Sequence, residues 1–322
     1  MAMRDAQTRR PAGIRLAAAA VALAFAAGGC GSGGEFVEPE GPLAGLELQV
    51  AAKDFSEQRI LARIAAYALQ TLGAEAVPVD MVGSSNTRAA LEAGEVDMYW
   101  EYTGTAWISY LGETKPLPDP EEQFTAVAER DLADNGIHWT APPAWFSNTY
   151  AMAVRTDLAR KWDLKTLSDL AGFAREHPDK ATFCIETEFS TRDDGWPGLL
   201  DAYSMEVDKE RVHMVDTGII FTELAKASTC AFGDVFATDG RIKALGLTTL
   251  EDDRAFFPNY NPTPTYSSEL AAEHPEIDEL LGRINKELTE KEILALAERA
   301  DYYGDDPEEI AEDWLREKGF LD

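Results

Sequence analysis

The chain has 322 residues, with 58 acidic side chains against 29 basic ones and a formal net charge of −29 at pH 7. Such a polyanion is repelled by phosphate backbones and anionic headgroups, so nucleic acid is disfavoured as a partner. A hydrophobic content of 45% with 10% aromatics excludes a disordered acidic chain, and the length suits one large domain or two moderate ones.

Arg4, Arg9, Arg10 and Arg15 form a positive n-region ahead of the uncharged apolar run from Leu16 to Ala27. That run is too short to span a bilayer and suits the h-region of a secretory signal. Gly28-Gly29-Cys30 resembles the lipobox of bacterial lipoproteins, in which the cysteine is lipidated and becomes the mature N-terminus, although Ala27 stands where that motif usually has leucine. Residues 1–29 are therefore expected as a signal peptide and Cys30 as the lipid anchor; the alternative is an ordinary signal with a chance cysteine. Arg9-Arg10 followed by Pro11 and Ala12 fits a twin-arginine signal poorly. Residues 30–43, rich in Gly, Pro and Glu, read as a flexible tether. Losing four arginines and Asp5 with the signal leaves the remainder three charges more acidic.

The body alternates strand and helix. Leu46–Ala52 reads as a strand, Glu57–Leu72 as a helix with Ile60, Leu61 and Ile64 on one face and Gly73 as its stop, and Ala76–Val82 as a second strand. A helix over Thr87–Ala93 follows, ending at Gly94, then a third strand over Val96–Trp100. This order predicts a parallel sheet covered by helices. A second block repeats the alternation: a strand at Thr149–Val154, a helix capped by Ser168, a strand at Ala181–Ile185, helices at Pro197–Tyr203 and Thr222–Ala227, and a strand at Asp234–Ala237. The end is helical over Glu276–Ala300 and Pro307–Lys318. Two α/β lobes, crossed near Tyr150 and again near Tyr260, leave a cleft of the kind ligands prefer.

A search for chemistry returns mainly absences. The four histidines have no metal-ligand spacing, and no His-Glu-x-x-His, Cys-x-x-Cys, phosphate loop or Gly-x-Ser-x-Gly elbow occurs. No metal, cofactor or catalytic group is expected, and carboxylate pairs such as Asp193-Asp194 read as solvated surface. Cys184 and Cys230 are an even pair in an exported chain. A bridge between them closes a loop of about 47 residues and contributes roughly 4 kcal/mol on the loop-entropy account; two buried thiols are the alternative.

Six strings in order carry a resemblance: Lys53-Asp-Phe-Ser-Glu-Gln58; Leu91-Glu-Ala-Gly-Glu-Val-Asp97 running into Glu101-Tyr-Thr-Gly-Thr105; Asn148-Thr-Tyr150-Ala-Met-Ala-Val154; Glu188-Phe-Ser-Thr-Arg192 with Asp194-Gly195; Thr238-Asp-Gly-Arg-Ile242; and Phe257-Pro-Asn-Tyr260-Asn. Together they resemble the substrate-binding proteins of ABC importers for glycine betaine, choline and related osmoprotectants, over about residues 46–320. The resemblance implies an α/β, two-lobed periplasmic-binding-protein-like fold of type II with the ligand cleft between lobes. Lobe 1 is expected over 44–149 and 258–322, and lobe 2 over 150–257.

A quaternary ammonium has no N–H to donate, and its diffuse charge is best held by aromatic faces. The resemblance implies a cage of Tyr102, Tyr150 and Tyr260, with Phe236 where relatives commonly carry tyrosine. It implies that Lys53, Arg192 and the Thr105 hydroxyl hold a ligand carboxylate, Arg192 as a planar fork. Glu188 either orients Arg192 or makes an exposed ion pair with it, and Asn148, Ser84, Ser85 and Asn86 reach the cleft or act in turns and caps. Trp100 replaces an expected proline and either closes the cleft or packs below it. The function implied is extracytoplasmic capture of a betaine for an ABC permease and its ATPase subunit, without catalysis. Choline, carnitine and ergothioneine are the alternatives within the class; an envelope α/β hydrolase or a purely structural lipoprotein are those outside it.

Overall fold

The computed structural model describes residues 40–322; the expected signal segment, Cys30 and the tether through residue 39 lie outside the described residues. Residues 41–45 form a turn against the next helix. Leu43, the first large apolar side chain after Val37, is buried in the core, and its N–H donates to Leu72 O at 2.9 Å. The folded body therefore takes in the last residues of the expected tether, because burying Leu43 outweighs the freedom of the glycines around it.

Strands β1 (Glu47–Lys53), β2 (Glu75–Met81) and β3 (Met98–Tyr102) are connected by helices α1 (Ser56–Gln70) and α2 (Ser84–Ala93). These strands pair parallel, as a strand–helix–strand order requires. A short helix α3 (Thr103–Thr105), a π-helical turn at Ala106–Tyr110, helix α4 (Pro120–Asn135) and strand β4 (Ile137–Trp139) follow. Five strands β5 (Tyr150–Arg155), β6 (Phe183–Ile185), β7 (Val212–Met214), β8 (Phe232–Phe236) and β9 (Leu247–Thr249) build a second sheet, and the chain returns to the first as β10 (Pro262–Ser267). The sheet orders are β2-β1-β3-β10-β4 and β7-β6-β8-β5-β9.

Both sheets are mixed, which corrects the wholly parallel expectation. Strands that arrive from the other sheet are free of the crossover-helix constraint: β10 runs antiparallel to β3 and β4, and β5 antiparallel to β8 and β9. Strand β10 escapes a sequence reading because Pro262 and Pro264 argue against a central strand. Their missing N–H groups face away from β3, on the side where their carbonyls accept from Ala144 N–H at 2.9 Å and Thr140 N–H at 3.1 Å, and Thr140 O accepts instead from the Thr263 hydroxyl at 2.6 Å. The helix over Leu167–Glu176 is capped by Thr166, not by Ser168. Thr166 Oγ1 accepts from Asp169 N–H at 3.1 Å and the Asp169 carboxylate accepts from Thr166 N–H at 2.9 Å, a reciprocal capping box.

Helix α1 shows why the first lobe holds together. Ile60, Leu61, Ile64, Ala65, Ala68 and Leu69 repeat at three- and four-residue spacing and are all buried, facing the sheet and the helices over Pro275–Glu287, Glu290–Glu298 and Pro307–Lys318. Cys184 of β6 and Cys230, just before β8, are joined as a disulfide with a Cα–Cα distance of 5.5 Å. The two segments that cross between sheets run side by side: Asn148 N–H donates to Tyr260 O at 3.2 Å and Tyr260 N–H to Ser147 Oγ at 3.0 Å. Among the described residues no helix is long and apolar enough to cross a membrane.

Candidate ligand-binding site

Strand ends and crossing segments converge on a cavity of about 250 Å³, small beside the pockets of drug-sized ligands. Five rings line it: Phe55, Tyr102, Tyr150, Phe236 and Tyr260. Tyr102 is the last residue of β3, Tyr150 the first of β5 and Phe236 the last of β8, and the antiparallel register places Tyr150 opposite Phe236. Their ring centroids lie 5.3 Å apart, and Tyr260 meets Tyr150 edge-on at 5.7 Å. Gly104 lets Tyr260 take this place, since a Cβ there would lie 2.7 Å from Tyr260 Cδ1.

Phe55, which the resemblance left without a role, is the fifth ring. It precedes α1 and stacks on Phe236 at 4.8 Å and on Tyr102 at 6.2 Å. The signal that could have found it is its place inside the Lys53–Gln58 string, directly before a helix N-terminus that the sequence already marked.

The cations of the expected carboxylate end come already paired. Lys53 Nζ, 3% exposed, sits 2.5 Å from Glu101 Oε1 and 5.1 Å from the centre of the Tyr102 ring. Glu101 also accepts from the hydroxyls of Tyr99 at 2.8 Å and Tyr110 at 2.9 Å. Lys53 lines the cavity, but Arg192 does not. Its fork closes on Asp194, Nε to Oδ1 at 2.7 Å and a terminal nitrogen to Oδ2 at 2.5 Å, while the other nitrogen donates to Glu188 Oε1 at 2.9 Å. The guanidinium lies 5.5 Å from the centre of the Tyr150 ring. Thr105, which lines the cavity, accepts only a long contact from Arg192, at 3.4 Å. Asp194 Oδ2 also accepts from Tyr260 OH at 2.7 Å. Arg192 and Asp194 thus form a buried support under two rings of the cage.

Glu188 accepts from Arg192 from a turn and not a helix, and its other oxygen accepts from Ser84 N–H at 3.0 Å. Burial pushes this carboxyl up, but Lys53, Arg192 and the Ser84 bonds outweigh it and hold it below the ordinary range. Gly83, with φ +77°, sets the turn that aims the Ser84 N–H. Ser84 and Asn86 line the cavity; Trp100 lies in the core below it.

Asn148 lines the cavity and donates through Nδ2 to Glu57 Oε1 at 3.0 Å. Glu57 in the first turn of α1, Thr238 and Glu186 are further polar groups of the site that carried no role in the sequence reading. Each has a position beside a strand end, and Glu57 and Thr238 stand inside the matching strings. Asp54, Glu186 and Glu188 give the wall three carboxylates. Burial raises Glu186 above the ordinary range, and burial pushes Asp234, whose carboxylate accepts from Glu186 N–H at 2.9 Å, up to about 7. Aromatic faces backed by carboxylates suit a compact organic cation. Among the described residues no group of three metal-ligating side chains is present.

A family model described as the substrate-binding domain of ABC-type glycine betaine transport systems matches residues 47–317. A glycine-betaine-binding protein of Pseudomonas aeruginosa is 34% identical over 85% of this chain and 89% of its own length. An ergothioneine transport permease/ergothioneine binding protein of Helicobacter pylori is 30% identical over 84% of this chain and 48% of its own. Among solved structures, one described as a glycine betaine/carnitine/choline ABC transporter aligns with a TM-score of 0.68 at 26% identity, covering 85% of this chain and all of that one.

Proposed function

This chain belongs to the family of substrate-binding domains of ABC-type glycine betaine transport systems, and we propose that its cavity captures a quaternary ammonium compound, glycine betaine or a related betaine. The fold is that of the type II periplasmic binding proteins, and the protein is an extracytoplasmic substrate-binding component of an ABC importer. The observation that carries the proposal is the five rings around one small cavity. Phe55, Tyr102, Tyr150, Phe236 and Tyr260 offer faces to a charge that no hydrogen bond can hold, each contributing about 0.5–2 kcal/mol when desolvated. Phe236 keeps a face without a hydroxyl that would need a partner, consistent with its stacking on Phe55.

The polar end of the ligand meets Lys53, Thr105, Asn148 and the turn at Ser84. Arg192 acts behind this wall by holding Tyr150 and Tyr260, and Glu188, within the wall, holds the turn at Ser84 in place. No bond is made or broken; the lobes, 44–149 with 258–322 and 150–257, close over the ligand by a hinge motion. The closed form docks on a permease whose ATPase partner drives uptake, with the protein held to the membrane by lipid on Cys30.

A second reading rests on one observation: Lys53 and Arg192 are both matched by carboxylates. Choline, a cation without a carboxylate, then leaves neither of them unpaired, so the charge argument for a betaine over choline weakens. Calorimetry with glycine betaine, proline betaine, carnitine, choline and ergothioneine tests both readings. Tyr102→Ala is expected to weaken the best ligand roughly 2- to 30-fold, the equivalent of one ring. Absence of any binding below millimolar, or an unchanged affinity in that variant, refutes the cage.

A further inference from the structure

Glu57 is a deeply enclosed carboxyl that the cage reading leaves without a task. It is 4% exposed, and both oxygens are committed. Oε1 accepts from Tyr102 OH at 2.7 Å and Asn148 Nδ2 at 3.0 Å, while Oε2 accepts from Thr238 Oγ1 at 2.6 Å. Tyr102 belongs to the first lobe, Asn148 to a crossing segment and Thr238 to the second lobe, so a single carboxyl ties a cage ring, the crossing and the far lobe together.

The surrounding charges give the carboxylate no counterion. Lys53 lies against the ring of Tyr102 and is paired with Glu101. Arg241 is paired with Asp239 at 2.5 Å, and Asp301 repels the charge on Glu57. Three neutral donors are left to stabilise a dehydrated anion, which is costly without a cation.

We propose that Glu57 is a proton-linked clasp, a positioning residue that fixes Tyr102 and Asn148 and takes up a proton when the lobes close over the ligand. The proposal rests on the cleft reading above. With the lobes apart, Thr238 leaves and water reaches the carboxyl, which then ionises as an ordinary acid. Closing removes that water. Protonation relieves the cost without dismantling the cluster: the carbonyl Oε1 keeps the Asn148 and Tyr102 bonds, and the Thr238 hydroxyl turns to accept the new O–H on Oε2.

The direction of the pH effect follows. With Thr238 in place as in this structure, burial pushes Glu57 from 4.5 to about 7, against the hydrogen bonds from Thr238, Tyr102 and Asn148, which pull it down; the proposal takes this arrangement as the closed form. The closed pKa lies above the open one, so the clasp favours closure fully below pH 4.5 and loses that advantage as the pH rises to about 7. Higher pH changes it no further.

Calorimetry with glycine betaine in buffers of different ionisation enthalpy reads the proton directly. Near pH 6 the wild type is expected to take up close to one proton on binding, and its affinity to fall about tenfold or more between pH 5 and pH 8. Glu57→Gln is expected to abolish this uptake and flatten the profile; equal uptake in both proteins overturns the proposal. If glycine betaine does not bind, small-angle scattering of the ligand-free protein decides separately. The wild type should expand as the pH rises from 5 to 8 and Glu57→Gln should not, whereas identical curves overturn the clasp whatever the ligand is. If Glu57→Gln does not fold, Tyr102→Phe, which keeps the ring and loses only the donor to Oε1, is used instead. It removes a bond that favours the ionised form, so the upper edge of the pH window must move to higher pH, and an unmoved edge overturns the proposal.

Discussion

Replacing Arg192 by methionine tests whether this cation holds a ligand or holds the protein. The guanidinium makes two bonds to Asp194, at 2.7 and 2.5 Å, and one to Glu188 at 2.9 Å. Asp194 is 3% exposed, and without Arg192 its remaining side-chain partner is the Tyr260 hydroxyl. Breaking a buried pair by removing one member costs about 3–5 kcal/mol, most of it from the charge left behind. Denaturant unfolding of the ligand-free protein should therefore show a loss of that size for Arg192→Met, and only a small part of it for Arg155→Met, whose pair with Asp157 is solvent-facing. The double variant Arg192→Met/Asp194→Leu should recover most of the stability, because no charge is then buried alone. A single-variant loss below about 1 kcal/mol, paired with abolished binding, would refute the supporting role and return Arg192 to direct contact with the ligand.

Gly104→Ala puts a Cβ 2.7 Å from Tyr260 Cδ1 and 2.8 Å from Asn259 O; unfolding should show a loss of about 1–3 kcal/mol, with weaker ligand binding than in the parent. Replacing both Cys184 and Cys230 by alanine should lower stability by roughly 4 kcal/mol, a figure set by the length of the loop they close, and intact-mass analysis after alkylation without reductant should find no free thiol at either position in the parent. Glu188 is held below its ordinary value of 4.5, so its contribution to stability is complete above that pH and is lost as acidification passes through the lower folded value. Glu188→Gln should accordingly flatten the acid limb of a stability–pH curve, and an unchanged limb refutes its pairing.

The parts of the fold legible in the sequence are those decided by local pattern. The face of α1 follows from Ile60, Leu61 and Ile64, and parallel pairing of β1, β2 and β3 follows from the helices between them. The aromatic positions come from the resemblance and not from local pattern, and Tyr102, Tyr150, Phe236 and Tyr260 all line one cavity. Partnerships were not legible, since they depend on which strand ends meet. Arg192 reads as a free fork until Asp194 is seen folded back on it by the turn at Gly195, whose own Cβ would lie 2.1 Å from Phe189 O. Glu57 reads as an ordinary acid at a helix start, where it favours the helix dipole, until Thr238 arrives from 181 residues away. Prolines hid β10 because a sequence does not say which edge of a strand its missing donors face.

The bonded seam between Ser147–Asn148 and Tyr260 has a mechanical consequence. Two chain segments fastened to one another define a single axle, and points near an axle travel least. Tyr150 and Tyr260 flank it, whereas Phe55 and Tyr102 ride on one arm and Phe236 on the other. On the hinge motion proposed above, the edge-on pair at 5.7 Å would stay assembled when the arms part. On that proposal an arriving cation would meet a fixed corner before the remaining rings fold onto it.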